Sequence, residues 1–223
     1  SDADVKADTM FHWDFRRLPV TDDTFDVVVF DPPFTAAGCS KWSHAYGICR
    51  RHGGPKNQQQ VGDDARVTLT LFSTGNVQTI YEDVPIAHVG KLTKETYVPS
   101  GGTPLYDAIG KVLTDMAARP RSKRTTVVII TDGYENSSHD WTASQVRSKV
   151  DFLKSNGWEF AFLGANIDTF AVGGQMGYSP QSTYTFEGSR TGTADMYATL
   201  GSAITTNRTG VTRNVVLSPE GNA

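Results

Sequence analysis

One segment constrains the fold more than any other: Thr125–Thr131, TTVVIIT, is apolar and β-branched almost without interruption. A strand with one wet face alternates polar and apolar residues, whereas a continuous run of this kind suits a central parallel strand covered on both faces. Asp132 and Gly133, a common strand-ending pair, follow it directly.

The chain on either side fits a layered α/β sheet, because short β-branched runs alternate with amphipathic stretches of helical length from about Asp63 onward. Arg66–Ser73 reads as a buried strand, and residues 77–86 as an antiparallel edge neighbour entered through a turn at Gly75 and Asn76. Pro104 opens a helix to about Ala118, whose apolar face is Leu105, Ile109, Val112, Leu113 and Met116. After the central strand, Asp140 or Thr142 caps a second helix with core face Val146, Val150 and Leu153, ended by Asn156 and Gly157. Residues 158–164 form the next strand, 170–176 a short helix, 183–186 a last edge strand and 193–205 a terminal helix. The tail from Arg208 lacks a period and is expected to fray. The expected fold is therefore a Rossmann-like three-layer αβα sandwich, mostly parallel, with an antiparallel edge strand.

Composition narrows the function classes. With 223 residues, 38% hydrophobic and 20% charged, the chain has material for one sizeable core. Its 21 basic and 24 acidic residues give a formal charge of -3, so no global field draws nucleic acid or an anionic membrane. No apolar run approaches the roughly 18 residues that span a bilayer. Residues 2–8 are polar and lack the basic start and apolar centre of a secretion signal, and Cys39 and Cys49 make no CxxC pair. A cytoplasmic setting is the expectation. The five histidines show no ligand-type pairing, and Trp42, Trp141 and Trp158 read as packing residues. Arg119, Arg121, Lys123 and Arg124 read as a solvated loop complementing a helix C-terminus.

Ligands of open α/β sheets sit at the carboxyl ends of the parallel strands. Three candidates fall there: Asp31 after an apolar strand at 24–30, Thr103 in the SGGTP loop, and Asp132. Taken singly, each also reads as a turn or capping residue. Together, a hydroxyl and carboxylates from separate loops suit a hard cation such as magnesium, which keeps several waters and takes one or two carboxylates.

The stretch Tyr97-Val98-Pro99-Ser100-Gly101-Gly102-Thr103-Pro104-Leu105-Tyr106-Asp107-Ala108-Ile109-Gly110, with Val128-Ile129-Ile130-Thr131-Asp132-Gly133-Tyr134-Glu135-Asn136 and Trp158 to Asn166 (WEFAFLGAN), resembles von Willebrand factor A (vWA) domains of bacterial and phage type. The resemblance covers about residues 57–210. It implies a metal-ion-dependent adhesion site with Thr103 as its second element and Asp132 as its third. The first element of that family, DxSxS, is absent; Asp31-Pro32-Pro33-Phe34-Thr35 stands at the only upstream strand end of suitable type, and Pro33 offers no hydroxyl. The site is thus incomplete by at least one ligand.

Residues 1–56 are of another kind. Phe25-Asp26-Val27-Val28-Val29-Phe30-Asp31-Pro32-Pro33-Phe34 resembles the base-binding motif of S-adenosylmethionine-dependent DNA amino-methyltransferases, in which a flipped base is received. The glycine-rich cofactor loop which that chemistry needs has no counterpart, since no glycine precedes Gly38. Two readings remain: a spliced remnant, or a segment whose strand fills the first-strand place of the A-type sheet, for which the spacing from Asp31 to Val67 leaves room.

The expectation is a non-enzymatic binding domain over 57–210, with a tail at 211–223. A divalent cation at Thr103, Asp132 and Asp31 would receive an acidic side chain from a protein partner, with no membrane and no nucleic acid involved. The alternatives are a methyltransferase remnant and an A-type scaffold whose metal site has decayed.

Overall fold

The computed structural model of the chain describes residues 28–30, 66–85, 88–89, 101–119, 124–208, 211–212 and 214–217. Its strands in chain order are β1 (Val28–Phe30), β2 (Arg66–Ser73), β3 (Asn76–Pro85), β4 (Thr125–Thr131), β5 (Trp158–Ala165) and β6 (Thr183–Phe186). Its helices are α1 (Leu105–Ala117), α2 (Ala143–Ser155), α3 (Thr169–Gln175) and α4 (Arg190–Arg208). The described strands form one six-stranded sheet in the order β3-β2-β1-β4-β5-β6, parallel throughout except for β3.

β4 is buried at every position, as a strand with parallel neighbours on both sides and helices on both faces must be. Its successive side chains enter opposite layers, following the two-residue period of a strand. Val128 and Ile130 join Ala161 and Leu163 of β5 under Met196, Tyr197, Leu200 and Ile204 of α4. Val127 and Ile129 join Phe160 and Phe162 under the apolar faces of α1, α2 and α3. Full burial of each large side chain contributes about 1.5–3 kcal/mol, so the two layers together outweigh any single surface contact.

β1 lies between β2 and β4, with Phe30 in register with Leu71 on one side and Ile130 on the other. Val28–Phe30, from the segment upstream of residue 57, therefore provides a central strand of this sheet.

Local chemistry explains where several elements start and stop. Gly75, at φ +72°, makes the hairpin between β2 and β3. Of the two caps open to α2, Thr142 is the one used: its hydroxyl accepts from the Gln145 N–H while Gln145 returns a bond to the Thr142 N–H. Trp141 packs flat over Gly110 of α1, where an added Cβ would meet the indole at 2.1 Å, so only glycine fits.

Two sequence expectations need correction. The tail does not fray where it is described: Val215 and Leu217 are 2% and 5% exposed within the α4 layer, and the Leu217 N–H donates to the Gln181 carbonyl at 2.7 Å. An aperiodic segment carries no helix or strand signal, yet two apolar side chains suffice to anchor it. Arg119 is likewise not a solvated loop residue. It reaches back to the Thr68 hydroxyl at 3.1 Å and the Glu82 carboxylate at 2.8 Å, clasping β2 to β3, while Arg124 donates to the Asn207 carbonyl at 3.4 Å. Arg121 and Lys123 lie outside the described residues.

Candidate functional site

The parallel strands deliver their carboxyl ends to one edge of the sheet, where four connections meet: the β2–β3 turn, the loop before α1, the loop after β4 and the loop after β5. Thr74 of the turn donates its N–H to the Gly102 carbonyl at 3.0 Å, and the Gly102 N–H returns a bond to the Thr74 hydroxyl. The next residue, Thr103, is only 8% exposed. Its N–H donates to the Asn136 side-chain carbonyl at 2.8 Å, and its own carbonyl accepts from the Asn136 N–H at 3.1 Å. So close an approach needs the preceding glycine, since a Cβ on Gly102 would sit 2.3 Å from Asn136 Oδ1.

Two carboxylates hold the loop after β4 against α1. Glu135 accepts from the N–H groups of Ser137 and Ser138 at 2.8 and 2.7 Å, from the Ser138 hydroxyl at 2.6 Å and from the Tyr106 N–H at 3.0 Å. The Ser138 hydroxyl also lies 3.1 Å from the Tyr106 and Asp107 N–H groups. These bonds satisfy the first turn of α1, whose N-cap Pro104 makes no side-chain cap. Asp107 replies from the helix, accepting from His139, Asp140 and Trp141 N–H groups at 2.7, 2.9 and 2.7 Å. Burial, reinforced by the Glu135 charge, raises the Tyr106 phenol above its ordinary range.

A third tie joins the loops after β4 and β5. Asn166, in the left-handed region at φ +59°, turns the chain out of β5, and the Asp168 N–H then donates to the Tyr134 hydroxyl at 2.9 Å.

The site residues expected from the sequence are placed as follows. Thr103 and Asp132 stand on the same edge, in loops bonded to each other through Asn136; Asp132 is half-buried immediately after β4. Asp31 lies outside the described residues. Among the described residues no group of three or more His, Cys, Asp or Glu side chains is placed to hold a metal. Glu135 and Asp107, the acidic side chains bridging α1 and the loop after β4, spend their oxygens on N–H groups and the Ser138 hydroxyl. On the same edge as Asp132, the buried Thr103 has a hydroxyl with no hydrogen-bond partner among the described residues. One carboxylate and one hydroxyl are the donor types a hard cation takes, with water or further chain oxygens completing its shell.

Sequence reasoning missed Glu135, Asn136, Asp107 and Tyr134 as parts of this edge. A legible signal was the run Glu135-Asn136-Ser137-Ser138-His139-Asp140, too rich in side-chain acceptors and hydroxyls for a plain connection.

No protein-family model matches the sequence, and no curated protein does. Solved structures do resemble the fold. Proximal thread matrix protein 1 (PTMP1) from the mussel byssus, in its crystal form 2, superposes with a TM-score of 0.55 at 13% identity, covering 82% of this chain and 46% of that one. A second structure of the same protein gives 0.51 at 14% identity over 83% of this chain and 46% of that one. A third, described as having a zinc-occupied MIDAS motif, gives 0.50 at 13% identity over 83% and 45%. The present chain thus spans less than half the length of these neighbours. Such identities speak to architecture, and with the strand order and the three layers they show that this chain has a vWA-like α/β fold.

Proposed function

We propose that the chain is a protein-binding domain of vWA type, not an enzyme, that engages its partner through the edge carrying Thr103 and Asp132. The observation that carries this reading is the pair of hydrogen bonds between Thr103 and Asn136, which brings the second loop of the expected site against the loop that begins at Asp132. The zinc-occupied motif named for one PTMP1 structure supports it, as a case of metal binding in a similar fold.

Thr103 and Asp132 would hold a divalent cation, with Asp31 as a third candidate. When bound, the cation supplies an open coordination position for an acidic side chain of the partner. The chain's own contribution is rigidity: Glu135 and Asp107 fix the loop after β4 before any partner arrives, so little ordering entropy is left to lose on binding.

The test is thermal melting of the full chain during magnesium, manganese and zinc titration. A cation that binds only the native state raises the melting temperature with concentration. No rise for any of the three would remove the metal from this reading.

A further inference from the structure

We propose that Tyr134 and Asp168 form a docking spot for a cationic side chain, arginine or lysine, on the protein partner. This rests on the reading that the strand-end edge is the binding face, and not on the metal.

Tyr134 is 53% exposed, in a loop whose backbone is tied to α1 and to the loop before it. Its ring is not free to wander. The backbone beside it is pinned by the Glu135 and Asn136 bonds, and its hydroxyl accepts the Asp168 N–H at 2.9 Å, so the ring is tied at both ends. A solvent-facing aromatic with its rotamer already restricted is what a binding surface needs to gain contact area without losing entropy.

The same hydrogen bond places the Asp168 main chain at the tip of the ring. Asp168 is exposed, with one carboxylate oxygen taking the Ala171 N–H at 3.0 Å and the other having no partner among the described residues. Loops 132–142 and 166–168 carry Asp132, Glu135, Asp140 and Asp168 and no lysine or arginine. Even without Asp132, the charged side chains of these two loops are all acidic. An exposed aromatic ring tied to the Asp168 main chain, together with a carboxylate of that residue that has one oxygen to spare, complements a cation, which stacks on the ring and pairs with that oxygen. An anionic or purely apolar group gains from only one of these features or from neither.

The experiment is selection of a random-peptide display library on the immobilised full chain in excess chelator, followed by affinity measurement of the enriched peptides. Enriched peptides should share an arginine or lysine. Replacing it with alanine, or changing Tyr134→Leu or Asp168→Asn in the domain, should weaken binding about threefold each, while Tyr134→Phe, which keeps the ring, retains most of it. Affinity should also fall as salt is raised. Absence of enrichment, peptides without a cation, or equal binding by the Tyr134→Leu and Asp168→Asn variants overturns the proposal. Because chelator is present throughout, that failure leaves the metal reading standing, and a flat metal titration leaves this one standing.

Discussion

Thr103 and Asn136 are joined by two hydrogen bonds, one from the Thr103 N–H to the Asn136 side chain and one from the Asn136 N–H to the Thr103 carbonyl. The pair works as a small clasp between the loop before α1 and the loop after β4. Asn136→Ala removes one of the two and leaves the Thr103 N–H without that acceptor. The expected loss is about 1 kcal/mol by urea denaturation, at the lower end of the usual range because Asn136 is exposed. Any cation-induced rise in melting temperature should shrink with it.

Thr103→Val preserves shape and removes the hydroxyl, and Asp132→Asn preserves shape and removes the charge. Each variant should remain folded and lose most of the cation-dependent melting shift, with affinity lowered about tenfold or more, as for loss of a ligand to a hard ion. Isothermal titration with magnesium on both variants provides the check.

Val29→Pro tests the place of β1. Val29 is paired in register with Thr70 of β2 and Ile129 of β4, so proline there deletes a ladder donor in the middle of the sheet. A loss of about 3 kcal/mol or more is expected, seen as unfolding or a much lower melting temperature. An unchanged melting curve would mean that the sheet does not depend on this segment.

Gly110→Ala places a methyl group 2.1 Å from the Trp141 indole, inside the distance at which atoms can sit. Alanine is the better helix former, yet here the indole has to move, and a net destabilisation of about 1–3 kcal/mol is expected. Tryptophan fluorescence should report the displaced ring.

Leu217→Ala probes the anchored tail. Leu217 is 5% exposed within the α4 layer, so its truncation should cost about 2 kcal/mol, and amide exchange should quicken from Val211 onward.

Local periodicity alone determined most of the architecture. The unbroken apolar run of β4, the helical spacing of Leu105, Ile109, Val112, Leu113 and Met116, and the turn and cap residues Gly75 and Thr142 are signals carried within a few positions of chain, and each marks the element it belongs to. Tertiary structure alone decided three things that depend on distant neighbours. β1 was set between β2 and β4, where backbone pairing, blind to the origin of the segment, accepts its Val28–Phe30 run. The carboxylates of Glu135 and Asp107 became fasteners between elements, because the Tyr106 N–H that Glu135 meets and the His139, Asp140 and Trp141 N–H groups that Asp107 meets are brought near only by the packing of α1 against the loop after β4, whereas the Ser137 and Ser138 bonds of Glu135 are local. Tyr134, left facing solvent, accepts a hydrogen bond from the N–H of Asp168, 34 positions away, a partner that no local pattern encodes.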